Sequence, residues 1–106
     1  MRQMTPAELA AWLAGDAPAP QLLDVREPWE TAVCALPDSR LIPMGEVPAR
    51  LDELDPARPV VCICHHGVRS LHVAAYLERR GFPDVVNLSG GIDAWARQVD
   101  PHCALY

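Results

Sequence analysis

Four short apolar runs divide the chain, and helical periodicity fills most of the space between them. Gln21 to Arg26, Arg40-Leu41-Ile42, Val60 to Ile63 and Val85 to Leu88 read as strands. The third run is β-branched and free of charge, the pattern of a strand buried on both faces. Thr5-Pro6-Ala7-Glu8 predicts a helix start, with Thr5 as cap, Pro6 at the first helical position and Glu8 completing a capping box. Leu9, Trp12 and Leu13 give that helix its apolar side, and Gly15 ends it. Glu27 to Ala32 predicts one short helical turn led by Pro28, and Val47 to Leu54 a helix with Val47, Leu51 and Leu54 in phase. Helices are also predicted over Val68 to Arg80 and over Ile92 to about Val99, while Asp100 to Tyr106 has no clear period. Strands alternating with helices, without a hairpin signal, imply an α/β fold whose parallel sheet is covered on both faces.

Composition narrows this picture. The chain has 106 residues, half of them hydrophobic, which suits one domain, residues 1–106, with a modest core. The net charge is −5, and the nine basic residues are all Arg and scattered, so neither a nucleic acid nor a membrane surface is an expected partner. No run approaches membrane-spanning length and no signal peptide is visible, so a cytoplasmic protein with reduced thiols is expected. Cys34 and Cys103 then read as plain apolar or surface cysteines.

The chemistry gathers where the third run ends. Cys62 lies inside the strand, flanked by Val61 and Ile63, and reads as a core thiol. Cys64 stands where the apolar run gives way to His65-His66-Gly67-Val68-Arg69-Ser70, a loop opening a helix. Such a loop turns unpaired backbone N–H groups toward one point, and the helix dipole there is positive. A thiol held there loses its proton more easily, and the thiolate is the nucleophile. Sites in open parallel sheets lie beyond the carboxyl ends of the strands, so Asp24-Val25-Arg26, Cys64 and Ser89-Gly90-Gly91 should meet at one edge.

Four stretches together resemble a single-domain rhodanese, a sulfurtransferase: Leu22 to Glu27, Ala35 to Pro43, Cys64 to Ser70, and Asn87 to Trp95. They follow the family's order across nearly the whole chain. Ala35 and Asp38 depart from the family's usual His and Gly, at a turn away from the nucleophile. The resemblance implies about five parallel strands flanked by helices. It also implies a Cys64 persulfide, loaded by a small anionic donor such as thiosulfate and unloaded by a thiol, cyanide or a protein acceptor. It implies no metal and no organic cofactor, and a monomer is expected before a dimer.

In this reading Cys64 is catalytic and His65, His66, Gly67, Val68, Arg69 and Ser70 form the substrate-binding loop. Asp24 and Arg26 support it. Arg69 is expected to pair with Asp24 rather than bind the donor, whereas Arg26 stands open between the pocket mouth and a solvated surface. The two histidines tune charge and access. Trp12, Trp29 and Trp95 are expected to pack the core or its rim. A cysteine phosphatase is the competing enzyme, but its loop runs C-x₅-R and this one runs C-x₄-R. A non-enzymatic interaction or relay module is the other alternative, weakened by the presence of Cys64.

Overall fold

The computed structural model describes all 106 residues. Five parallel strands form one sheet: β1 (Arg2–Met4), β2 (Gln21–Asp24), β3 (Arg40–Leu41), β4 (Val60–Ile63) and β5 (Val85–Leu88), in the order β1-β5-β4-β2-β3. Three of the four apolar runs therefore lie inside the sheet, and β3 forms the edge opposite β1. β1 is the strand that the hydrophobic pattern does not predict. It is three residues long, sits at the edge, and buries only Met4.

Three α-helices lie between strands, α1 (Pro6–Ala14), α2 (Pro28–Val33) and α3 (Val68–Arg79), and a fourth, α4 (Gly91–Gln98), follows β5. The capping box on α1 forms as expected: Glu8 N–H donates to Thr5 Oγ1 at 3.2 Å and Thr5 N–H to Glu8 Oε1 at 3.0 Å. The helix expected over Val47 to Leu54 is replaced by two 3₁₀ segments, Met44–Glu46 and Pro48–Glu53, and Arg50 leaves helical backbone altogether. Pro48 removes a donor one residue inside the expected helix, which favours the shorter turns.

Each face of the sheet buries its own apolar cluster. α3 contributes Val73, Ala74 and Leu77 to one, with Leu23, Val60 and Cys62 beneath them. α1 and α4 contribute Leu9, Ile92, Trp95 and Ala96 to the other, over Val61, Ile63, Val86 and Leu88. Trp95 is buried and Trp12 half-buried, as expected, but Trp29 stands 63% exposed on α2.

One cross-link joins the ends of this second cluster. Cys34 and Cys103 form a disulfide across a sequence separation of 69, with Cα atoms 5.4 Å apart. The expectation of plain cysteines is corrected for this pair, and Cys62 and Cys64 are the free thiols. The tail after α4 turns back through Asp100 to Cys103, which brings Cys103 beside the end of α2; helical or strand periodicity carries no sign of such a return.

Candidate active site

β4 delivers Cys64 to the carboxyl edge of the sheet, between the ends of β2 and β5. The next six residues wrap around its sulfur. Gly67 takes a left-handed backbone, φ +97°, and its N–H donates to Cys64 Sγ at 3.1 Å. Val68, Arg69 and Ser70 then supply first-turn amides of α3, which have no partner within a helix. Ser70 Oγ lies 3.3 Å from the same sulfur.

The helix α4 holds the outside of this loop. Ile92 N–H donates to the Cys64 carbonyl at 2.8 Å and Asp93 N–H to the His65 carbonyl at 3.1 Å. The loop carbonyls are thereby drawn away from the sulfur, toward α4. This contact requires Gly91, at φ +62°, because a β-carbon there would collide with the carbonyl oxygens of Cys64 and His65.

Asn87 supports the inside. Its amide nitrogen donates to the Gly67 carbonyl at 3.1 Å and to Gln3 Oε1 at 3.0 Å, and its carbonyl oxygen accepts from the Ser70 hydroxyl. The role of Asn87 escapes the motif reading, yet one polar residue in the apolar run Val85 to Leu88 is a visible signal. A buried amide has to find partners.

The charged residues pair differently from the expectation. Arg69 does not reach Asp24; its guanidinium grips Glu30 on α2 with two bonds, 2.8 and 2.7 Å. Asp24 is taken by Arg26, which donates from Nε at 2.9 Å and from Nη2 at 2.7 Å. Arg26 is neither at a pocket mouth nor on the surface: it is 0% exposed. Its remaining donors go to the Cys34 carbonyl at 2.7 Å, the Tyr106 hydroxyl at 3.0 Å and the Glu30 carbonyl at 3.4 Å. Burial opposes its charge, but the bonds to Asp24 and Tyr106 outweigh that and raise its pKa. Glu30 is held near a pKa of about 2, chiefly by Arg69.

Tyr106 is the residue that sequence reasoning misses entirely. Its hydroxyl donates to Glu30 Oε1 at 2.8 Å, and its ring stacks on His65 with centroids 3.9 Å apart. Trp29 meets the same ring edge-on at 5.6 Å. His65 also stacks on exposed His66 at 3.9 Å, and burial lowers its pKa. Val68 turns its side chain to solvent, 63% exposed, and offers the loop its backbone N–H at the start of α3.

Two side observations bound the chemistry. Burial among β-branched neighbours pushes the Cys62 thiol up to about 12, with Cys64 adding to the shift, so Cys62 is a poor nucleophile. His65, His66 and Asp93 bring ligand atoms within 4.8 Å of one another, the one set of side chains that could hold a metal ion. The two imidazoles are stacked 28° from parallel, and Asp93 is engaged by Arg97 at 3.0 Å.

A parallel α/β sheet with a cysteine loop at its carboxyl edge defines the class. The chain belongs to the rhodanese-like domain family, whose model matches residues 5–98. It is 45% identical over 76 residues to a sulfurtransferase of Allochromatium vinosum, covering 72% of this chain and 71% of that one. It is 38% identical over 81 residues to thiosulfate sulfurtransferase GlpE of Pseudomonas aeruginosa, covering 76% and 73%. A crystal structure of a rhodanese-like domain protein from Staphylococcus aureus superposes with a TM-score of 0.86 at 36% identity, over 100% of this chain and 99% of the other. Against the larger rhodanese-like/PpiC domain-containing protein 12 of Arabidopsis thaliana, the chain spans 30% of the length.

Proposed function

We propose that this protein is a single-domain sulfurtransferase that carries sulfane sulfur as a Cys64 persulfide. The observation that carries the reading is the Gly67 N–H on Cys64 Sγ at 3.1 Å, inside a loop whose outer carbonyls are occupied by α4. Amides around a sulfur stabilise negative charge on it and on the atom bonded to it.

The Cys64 thiolate attacks the outer sulfur of a donor such as thiosulfate. The S–S bond of the donor breaks, its electron pair leaves with sulfite, and Cys64 keeps the terminal sulfur. A thiolate, cyanide or a protein thiol then attacks that sulfur, and the electron pair returns to Cys64. This is a two-step covalent transfer with ping-pong kinetics. A free Cys64 is a requirement of the cycle and favours a reducing compartment, the cytoplasm. Small anions and thiols are the partners; a net charge of −5 disfavours nucleic acids and anionic membranes.

The phosphatase alternative loses weight because Arg69, the residue that would bind a phosphate, turns the Nη1 and Nη2 edge of its guanidinium onto Glu30. The test is thiosulfate turnover with a cyanide or dithiol acceptor, beside a phosphate-ester control. Turnover in the wild type, its loss in Cys64→Ser and its survival in Cys62→Ser are expected. Phosphate release that depends on Cys64 would instead establish the competing enzyme, and an inert wild type with free thiols would point to a binding module.

A further inference from the structure

We infer that the Cys34–Cys103 disulfide is a redox-controlled staple that sets access to Cys64 by holding Tyr106 against the loop. Tyr106 is a positioning residue for that access. The inference takes from the proposed function only that Cys64 is the reacting thiol.

The geometry closes a ring of contacts. From Cys103 the chain runs three residues to Tyr106, whose ring lies flat on His65, the neighbour of Cys64. The Tyr106 hydroxyl accepts from Arg26, and the same guanidinium donates to the carbonyl of Cys34. Disulfide, tail, hydroxyl and guanidinium therefore fix one another, and in this arrangement Cys64 is 1% exposed.

Beyond the disulfide and Tyr106, whose hydroxyl also donates to Glu30 at 2.8 Å and whose ring meets Trp29 edge-on, little ties the tail down. Cys103 N–H and His102 N–H both bond to Asp100, so those two bonds stay within the tail. Ala104 and Leu105 are exposed. Without the disulfide, one buried cysteine side chain and the contacts of one tyrosine must offset the entropy of ordering these residues. Undocking is the expected response.

The switch chemistry is thiol–disulfide exchange with a low-molecular-weight disulfide such as oxidised glutathione. One protein thiolate attacks it and releases one glutathione thiol, leaving a mixed disulfide. The second protein thiolate attacks that sulfur and releases the other. Two electrons pass to the glutathione pair and the two protein protons end on its thiols. A dithiol runs the exchange in reverse. Cys34 is partly exposed whereas Cys103 is buried, so exchange begins at Cys34. In a reducing compartment, a disulfide of this kind belongs to the transient, redox-sensing class.

The test is the rate of Cys64 alkylation by iodoacetamide, read by peptide mapping, in samples that differ only in the state of Cys34 and Cys103. Reduction of the pair is expected to speed alkylation by about threefold or more. Cys34→Ser and Tyr106→Ala should be fast under both conditions. Tyr106→Phe, which keeps the ring on His65, should remain slow while the disulfide is intact, a rescue that a general loss of stability cannot produce. Equal rates in oxidised and reduced wild type would overturn the inference, as would failure of oxidised glutathione to form the Cys34–Cys103 bond. The wild-type comparison needs no variant to fold. Redox-dependent alkylation without thiosulfate turnover would remove the proposed function and leave the staple standing.

Discussion

Arg69 and Glu30 form a forked bond beside the Cys64 loop: two guanidinium nitrogens on two carboxylate oxygens, 2.8 and 2.7 Å, joining α3 to α2. Glu30 is buried, so the pair is better shielded than a surface bridge, although the partly exposed Arg69 side chain limits its strength. Glu30→Gln should cost about 1–3 kcal/mol in urea unfolding. It should also lower thiosulfate turnover by loosening the loop. The linkage has a definite sign. The folded Glu30 titrates near 2, below its ordinary 4.5, so its contribution is complete above about 4.5 and is lost as pH falls toward 2. Thermal scans from pH 5 to pH 2.5 should show a steeper fall in the wild type than in Glu30→Gln. Parallel curves would mean that the pair contributes no net stability.

The Arg26–Asp24 pair is a different case, because both side chains are buried. Removing Arg26 leaves a carboxylate with no counter-charge and an unpaired Cys34 carbonyl, and the Tyr106 hydroxyl keeps only its bond to Glu30. Arg26→Met should destabilise by about 3–5 kcal/mol. Arg26→Lys should recover little of this, since an ammonium cannot reproduce the forked contact. Denaturant midpoints for the three proteins check it, and a lysine variant as stable as the wild type would show that charge alone suffices.

What the sequence makes legible divides along physical lines. Strands β2, β4 and β5, helices α1, α3 and α4, and the place of Cys64 follow from periodicity, caps and a break in an apolar run, which are local properties. β3 is legible despite its two residues because a Pro follows its apolar run. β1 is lost because an edge strand of three residues has almost no apolar signature. The ion pairs are the instructive error. Asp24, Arg26, Glu30 and Arg69 are all present in the motifs, but partner choice depends on side-chain reach across elements. Asp24 is satisfied two residues away, by Arg26, before Arg69 can compete. Tyr106 and Cys103 meet Arg26 and Cys34 across separations of 80 and 69 residues, and nothing local announces them.

Gly91 offers a test of the loop geometry that leaves every reacting group untouched. A β-carbon there would strike the backbone oxygens of Cys64 and His65, and backbone cannot turn aside as a side chain can. The left-handed φ of +62° adds its own penalty. Gly91→Ala should cost about 1–3 kcal/mol, in the range of overpacked interiors, and should depress turnover. Gly45→Ala is the control, since its β-carbon meets nothing within 4 Å. A Gly91→Ala variant with wild-type turnover would show that α4 does not set the loop.

His65 reports on the same loop through its protonation. Burial lowers its pKa below the ordinary 6.5, and the neighbouring His66 works in the same direction. Protonation therefore favours the unfolded chain, in which the ring titrates normally. Stability falls as pH drops through 6.5 and goes on falling to the lower folded pKa. Side-chain NMR titration should place His65 below 6.5. Reducing Cys34 and Cys103 should move it back toward that value, because release of the Tyr106 ring relieves burial, the largest cause of the shift, and outweighs the loss of the bond to the Tyr106 backbone, which works the other way. A His65 that titrates at 6.5 in both redox states would remove the stacked tyrosine from the solution structure, and with it the reason for the shift.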